Sequence, residues 1–196
     1  DRSPSRGLGD VYKSQTPCDT PTRLLCLLRT DPHGSRPFPP PHPAADARHR
    51  LHTHWNLDAA SVLAAQCLDI QPGHAVLDMC AAPGGKSITL AQRLWPALYV
   101  DHPSGEQQHR QRPSILHANE VDVARHRRLH ANLTSYLPPT LFEQGLVDVL
   151  RIDATSPRAV HLFPLGEEGY DRILIDAPCS SERHILHAFM RAQQSG

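Results

Sequence analysis

The stretch Val76-Leu77-Asp78-Met79-Cys80-Ala81-Ala82-Pro83-Gly84-Gly85-Lys86 sets the architecture. Its first half is a short apolar run behind the breaker Pro72-Gly73, and it predicts a buried strand over 74–80. Ile88, Ala91, Leu94 and Trp95 then recur at helical spacing, which predicts a helix over 87–95. Between them, Gly84 and Gly85 allow close approach of the backbone to a ligand and a tight entry into the helix. An ordinary strand-to-helix turn would use the same residues. The pattern is neither G-x-x-x-x-G-K-[ST] nor G-x-G-x-x-G, which argues against a phosphate-cradling loop and a dinucleotide fingerprint.

The neighbouring segments extend this unit. Upstream, Asp58 is placed to cap a helix running to Ile70, closed by Pro72-Gly73. Downstream, 96–113 is polar, lacks periodicity and predicts a long loop or insertion. Further strands are predicted over 114–119, 148–152 and 172–176, with helices over 122–135 and 185–192. Alternating strands and helices make β-α-β units, hence a parallel sheet with right-handed crossovers. If the strand order is 3-2-1-4, the fourth strand is an apolar edge that calls for a cover, from more chain or from a partner.

Composition narrows the classes. The 196 residues suit one domain plus a tail, and no apolar run reaches a membrane span, so no membrane partner is expected. Twenty basic residues balance twenty acidic ones, against a binder of nucleic acid that works by charge alone. Only two of the basic residues are lysines, Lys13 and Lys86, so each lysine is informative. Five cysteines, at 18, 26, 67, 80 and 179, form no C-x-x-C pair, against a disulfide framework or zinc ribbon. The histidines around 42–54 lack further ligands at matching spacing, so no metal site is expected. Prolines crowd 32–43, and residues 1–54 read as an extended Pro/Arg-rich arm ahead of the domain at 55–196.

In such a sheet, ligands bind at the carboxyl ends of the strands. The informative residues fall there: Cys80, Ala81, Ala82, Pro83, Gly84, Gly85 and Lys86 after the first strand, Glu120 after the second, Asp153 after the third, and Asp176 with Cys179 after the fourth. Glu120 can accept hydrogen bonds from a ribose diol, or serve as a helix-start carboxylate. Asp153 can bind a base or amino group, or form a turn with Thr155. Together they point to an adenosine-type ligand without phosphates. Cys179 follows Pro178; a thiolate there could add to C6 of a pyrimidine, or the residue could be a small buried Cys. Arg125, His126, Arg127, Arg128 and His130 lie on one predicted helix and read as a solvated face, with phosphate contact as the alternative.

Asp58-Ala59-Ala60-Ser61, Gln71-Pro72-Gly73 and Val76 to Lys86 resemble the Nop/Sun/RsmB family of S-adenosylmethionine-dependent RNA cytosine-5 methyltransferases. Ala118-Asn119-Glu120-Val121-Asp122 is similar to that family's ribose motif, Asp153-Ala154-Thr155 to its adenine-side motif, and Asp176-Ala177-Pro178-Cys179-Ser180 to its motif IV. The resemblance covers about 55–187. It implies a Rossmann-like α/β fold of seven strands, of which four are legible, and S-adenosylmethionine as cofactor. Ser181 to His184, Leu186-His187 and Tyr136-Leu137-Pro138 look most like the mitochondrial, fourth Sun-domain branch.

That branch implies a ribosomal RNA substrate, pre-ribosomal particle proteins and an mTERF-like protein as partners, and the mitochondrial matrix, with cytoplasm or nucleolus as the alternative. In the family the attacking cysteine lies in a Thr-Cys motif beyond motif IV, while the cysteine matched by Cys179 helps release the methylated product. No Cys follows Cys179 here, so these 196 residues alone are expected to transfer no methyl group. The alternative is a catalytically silent assembly factor that keeps the fold as a docking body. Amino-group methylation would want a Pro-Pro-aromatic motif where Asp176-Ala177-Pro178-Cys179 stands.

Overall fold

The computed structural model describes residues 41, 43, 51–98 and 112–178. Most of the 1–54 arm, most of the 96–113 loop, Cys179 and the predicted helix over 185–192 lie outside the described residues. In chain order the elements are α1 (Ala59–Gln66), β1 (Ala75–Asp78), α2 (Gly85–Leu94), a 3-10 turn (Pro96–Leu98), β2 (Ile115–Asn119), α3 (Val123–Tyr136), α4 (Pro139–Glu143), β3 (Val147–Leu150), α5 (Ala159–Leu162) and β4 (Arg172–Leu174). The strands form one sheet in the order β3-β2-β1-β4, every pair parallel. This is the expected Rossmann-like arrangement. Register places Asp78 between Ala118 and Leu174, so the strand ends align.

β1 is buried along its whole length because it lies inside the sheet. Its residues alternate between two faces, as strand geometry requires. Val76 joins Leu90, Leu94, Leu116, Leu129, Leu133 and Leu137 in the larger core. Each such fully buried leucine contributes about 2 kcal/mol. Leu77 joins Ala159 and Phe163 on the other face, with Leu150, Ile152 and Tyr170 packed alongside. His117 is also buried there, with Nδ1 2.7 Å from the Tyr170 hydroxyl. Burial pushes this imidazole below its ordinary pKa.

Side chains fasten the amino ends of the strands. The Ala75 N–H donates to Asp171 Oδ2 at 2.7 Å, and the Asp171 N–H donates back to Ala75 O at 2.9 Å. That bond into the carboxylate holds Asp171 below the usual carboxylate range. At its side of the sheet, β4 carries exposed Ile173, followed by exposed Ile175, as an apolar edge would.

Several boundaries differ from the sequence reading. α1 ends at Gln66 rather than continuing to Ile70, because Asp69 takes a left-handed φ of 45° and turns the chain. Ile70 is buried all the same, at the far side of that turn. α2 begins at Gly85, two residues earlier than predicted. α4 and α5 were not predicted; α4 starts with Pro139 at its first position, where the missing N–H costs nothing.

Candidate functional site

The loop after β1 is held from several sides. The Ala81 N–H donates to Asn119 O at 2.8 Å, and the Gly84 N–H donates to Ala81 O at 2.8 Å. Gly84 has φ +113°, a region that L side chains rarely adopt. A Cβ on Gly84 would lie 3.3 Å from Leu129 and 3.4 Å from Leu133, so the turn rests on α3. A Cβ on Gly85 would lie 2.6 Å from Trp55 Nε1 and 2.9 Å from Leu57 Cδ1. The start of α2 therefore packs under the Trp55 indole, which also meets Tyr136 edge-on at 5.1 Å. His52, on the arm side of the expected boundary, contacts the same Tyr136 ring.

α3 presents two further clamps. Arg125 donates to Ala82 O at 3.2 Å, and Asn132 donates to Pro83 O at 2.7 Å. Positions 125, 129 and 132 share one face of a helix. Arg125 also pairs with Glu120 Oε2 at 3.0 Å, while Glu120 Oε1 accepts the Asp122 N–H at 3.0 Å. Arg125 thus belongs to the site and not to a solvated face. His126 also departs from that reading, with Nε2 3.3 Å from Val149 O, whereas Arg127, Arg128 and His130 are exposed. Glu120 is buried, and two of a carboxylate's roughly four acceptor positions remain for a ligand.

Asn119 joins three strand ends. Its amide donates to Met79 O at 3.0 Å and Ile152 O at 2.9 Å, and its Oδ1 accepts the Ile152 N–H at 2.8 Å. The backbone ladder ends at this level, so the side chain satisfies groups that the sheet leaves over. Glu120 and the start of the third loop are positioned as a result.

On the other side of the loop, Lys86 Nζ pairs with Asp176 Oδ2 at 2.7 Å and donates to Ser61 Oγ at 3.0 Å. Asp78, at the end of β1, accepts from Ser87 Oγ at 2.6 Å. Its Oδ1 is buried without a hydrogen-bond partner. Burial pushes the Asp78 carboxyl up to about 6, opposed by the Ser87 bond and by Lys86. Burial, then Glu120 and Asp78, likewise push the Cys80 thiol up, so it remains a thiol rather than a nucleophile at neutral pH.

Asp153 is exposed and makes the turn that its sequence allows. Its Oδ1 accepts from the Thr155 N–H at 2.9 Å and from Thr155 Oγ1 at 2.7 Å, which holds the carboxyl below its usual range. The loop Cys80 to Lys86, Glu120, Asp153 and Asp176 thus occupy the carboxyl side of four adjacent strands, while Cys179 lies outside the described residues. Sequence reasoning missed Ser61, Trp55, Asn119, Arg125 and Asn132 as supporting residues. The usable signal was the helical spacing of 125, 129 and 132, behind an acid one turn upstream.

The chain is similar to several known proteins. The family described as "16S rRNA methyltransferase RsmB/F" matches residues 65–189. The mitochondrial tRNA (cytosine(34)-C(5))-methyltransferase of Danio rerio is 37% identical over 137 residues, 70% of this chain and 31% of that protein. The 5-cytosine rRNA methyltransferase NSUN4 of Bos taurus is 35% identical over 180 residues, 89% of this chain and 40% of that protein. The chain therefore spans well under half the length of these relatives. A solved structure described as "Crystal Structure of PH0851" is similar at 29% identity and TM-score 0.47, over 67% of this chain and 24% of that one. Matched over more than half its length, in the segment that carries the strand ends and their loops, this chain belongs to the RsmB/F family.

Proposed function

We propose that this chain supplies the S-adenosylmethionine site of an RNA cytosine-5 methyltransferase that acts on ribosomal RNA in mitochondrial ribosome biogenesis. One observation carries the reading. A glycine turn, a buried carboxylate and an exposed carboxylate stand at the carboxyl ends of three neighbouring parallel strands. The donor set fits an adenosyl ligand. Glu120 keeps acceptor capacity for a ribose diol, and Asp153 for an amino group. The first N–H groups of α2 have no partner within their helix and can meet a polar tail. Gly84 lets the turn take φ +113° and lie close against α3.

When bound, S-adenosylmethionine supplies an electrophilic methyl group. Cys80 to Lys86 would cradle its tail, Glu120 the ribose, Asp153 the base, and Asp176 would border the methyl side. Cys179 follows Asp176 by three residues and would act at the target pyrimidine, aiding release of the methylated base. The names of the relatives support a mitochondrial, RNA-directed role. In this reading the chain works in the mitochondrial matrix, with pre-ribosomal particle proteins and an mTERF-like protein as partners, and 1–54 forms an arm ahead of the domain. A docking role without catalysis is the second reading. It draws on Ile173 and Ile175, which are 44% and 64% exposed at the β4 edge.

The test is isothermal titration of the 196-residue chain with S-adenosylhomocysteine. Binding is expected, and Glu120→Ala and Asp153→Ala should each weaken it by about tenfold or more. Unchanged affinity in both variants contradicts the site.

A further inference from the structure

Four polar side chains outside the ribose and base positions form one continuous chain of bonds. Asp58, the N-cap of α1, accepts the Ser61 N–H with Oδ1 at 3.0 Å and the Ser61 hydroxyl with Oδ2 at 2.7 Å. Lys86 Nζ donates to the same Ser61 oxygen at 3.0 Å and pairs with Asp176 at 2.7 Å. The bonds from Ser61, with Lys86 nearby, hold the Asp58 carboxyl below its usual range, so at neutral pH it accepts only. The polarity is then fixed. Ser61 has one proton and gives it to Asp58, which turns a lone pair of the hydroxyl toward Lys86.

We propose that Ser61 is a positioning residue for Lys86: its hydroxyl, oriented by Asp58, holds the ammonium where it can grip Asp176. The inference deepens the methyltransferase reading and rests on it, because Asp176-Ala177-Pro178 leads directly to Cys179. α1 lies outside the sheet, yet through this relay it is linked to the end of the glycine turn and to the segment after β4. Capping of α1 does not account for the arrangement. The cap needs only the Ser61 N–H and Asp58 Oδ1, and neither requires the Ser61 hydroxyl.

The chain offers a direct readout, since its only side-chain amines are Lys13 and Lys86. Acetic anhydride labelling of the full chain, read by mass spectrometry and normalised to an added lysine peptide, measures the reactivity of Lys86. Ser61→Ala is expected to raise the Lys86 labelling rate about fivefold to tenfold, the rate equivalent of one hydrogen bond of ordinary net strength. Ser61→Thr, which keeps the hydroxyl, should label like the wild type. Asp58→Asn still caps the helix but turns an amide donor toward Ser61, and should label like Ser61→Ala.

Equal labelling of wild type and Ser61→Ala overturns the proposal. So does Ser61→Thr behaving as Ser61→Ala. If Ser61→Ala fails to fold by circular dichroism, Asp58→Asn decides, and wild-type labelling there overturns the proposal. S-adenosylhomocysteine binding is measured on the same wild-type sample. Its absence would sink the cofactor reading, whereas the labelling rates alone decide the role of Ser61.

Discussion

The two halves of the site are built differently. On the β1–β2 side, the glycine turn and Glu120 are held by Asn119, Arg125, Asn132 and the leucines of α3, and Glu120 is only 5% exposed. On the β3–β4 side, Asp153 is tied only to its own turn, and Asp176 is 56% exposed and held by Lys86 alone among the described residues. The first half is set before any ligand arrives, since its polar groups already have partners in the fold. The second half can move at little cost, because exposed ion pairs and single turns contribute little. In the proposed reading, such a site would meet the ribose with its fixed half and close its looser half on the rest of the ligand.

The largest expected break of that contrast is Asn119→Ala. It leaves Met79 O, Ile152 O and the Ile152 N–H without their partner, and should cost on the order of 4 kcal/mol in urea unfolding. Next is Asp78, with a carboxyl near 6 in the fold against an ordinary 3.8. Between those values the folded chain holds a proton that the unfolded chain releases, so the group's contribution to stability falls as pH rises through that window. Asp78→Asn removes this dependence. Its stability relative to wild type should grow by on the order of 3 kcal/mol from pH 4 to pH 7, seen in melts at both pH values.

Gly85→Ala forces a methyl against Trp55 and Leu57, and should cost about 2 kcal/mol and perturb tryptophan fluorescence. The smallest effect belongs to the other half. Thr155→Val should return the Asp153 carboxyl toward its usual range in an NMR titration, without a measurable change in melting midpoint. A large destabilisation there would erase the contrast between the halves.

The frame was legible because strand, turn and helix signals agreed across 76–95, and each later strand repeated the short apolar pattern. The Asp58 cap follows from local rules and is found in the structure; the order 3-2-1-4, which no local rule fixes, is the order observed. The supporting shell was not legible. Arg125 sits among other arginines, and beyond its helical spacing with 129 and 132 nothing local marks it as turning back to Glu120 while Arg127 and Arg128 are exposed. Asn119 looks like part of a motif, yet its three bonds depend on where β1 and β3 end. α4 was not legible because its five residues, opened by Pro139, are too few to show helical spacing.

Amide hydrogen exchange of the chain, with and without S-adenosylhomocysteine, separates a preset half from a half that closes on its ligand. Ala81 and Gly84 are expected to be protected already in the free chain, through their bonds to Asn119 O and Ala81 O. Ligand should add protection chiefly around 153–156 and 176–178. Fast exchange at Ala81 and Gly84 until ligand binds, or no ligand effect at any of the four strand ends, would contradict this division of the site.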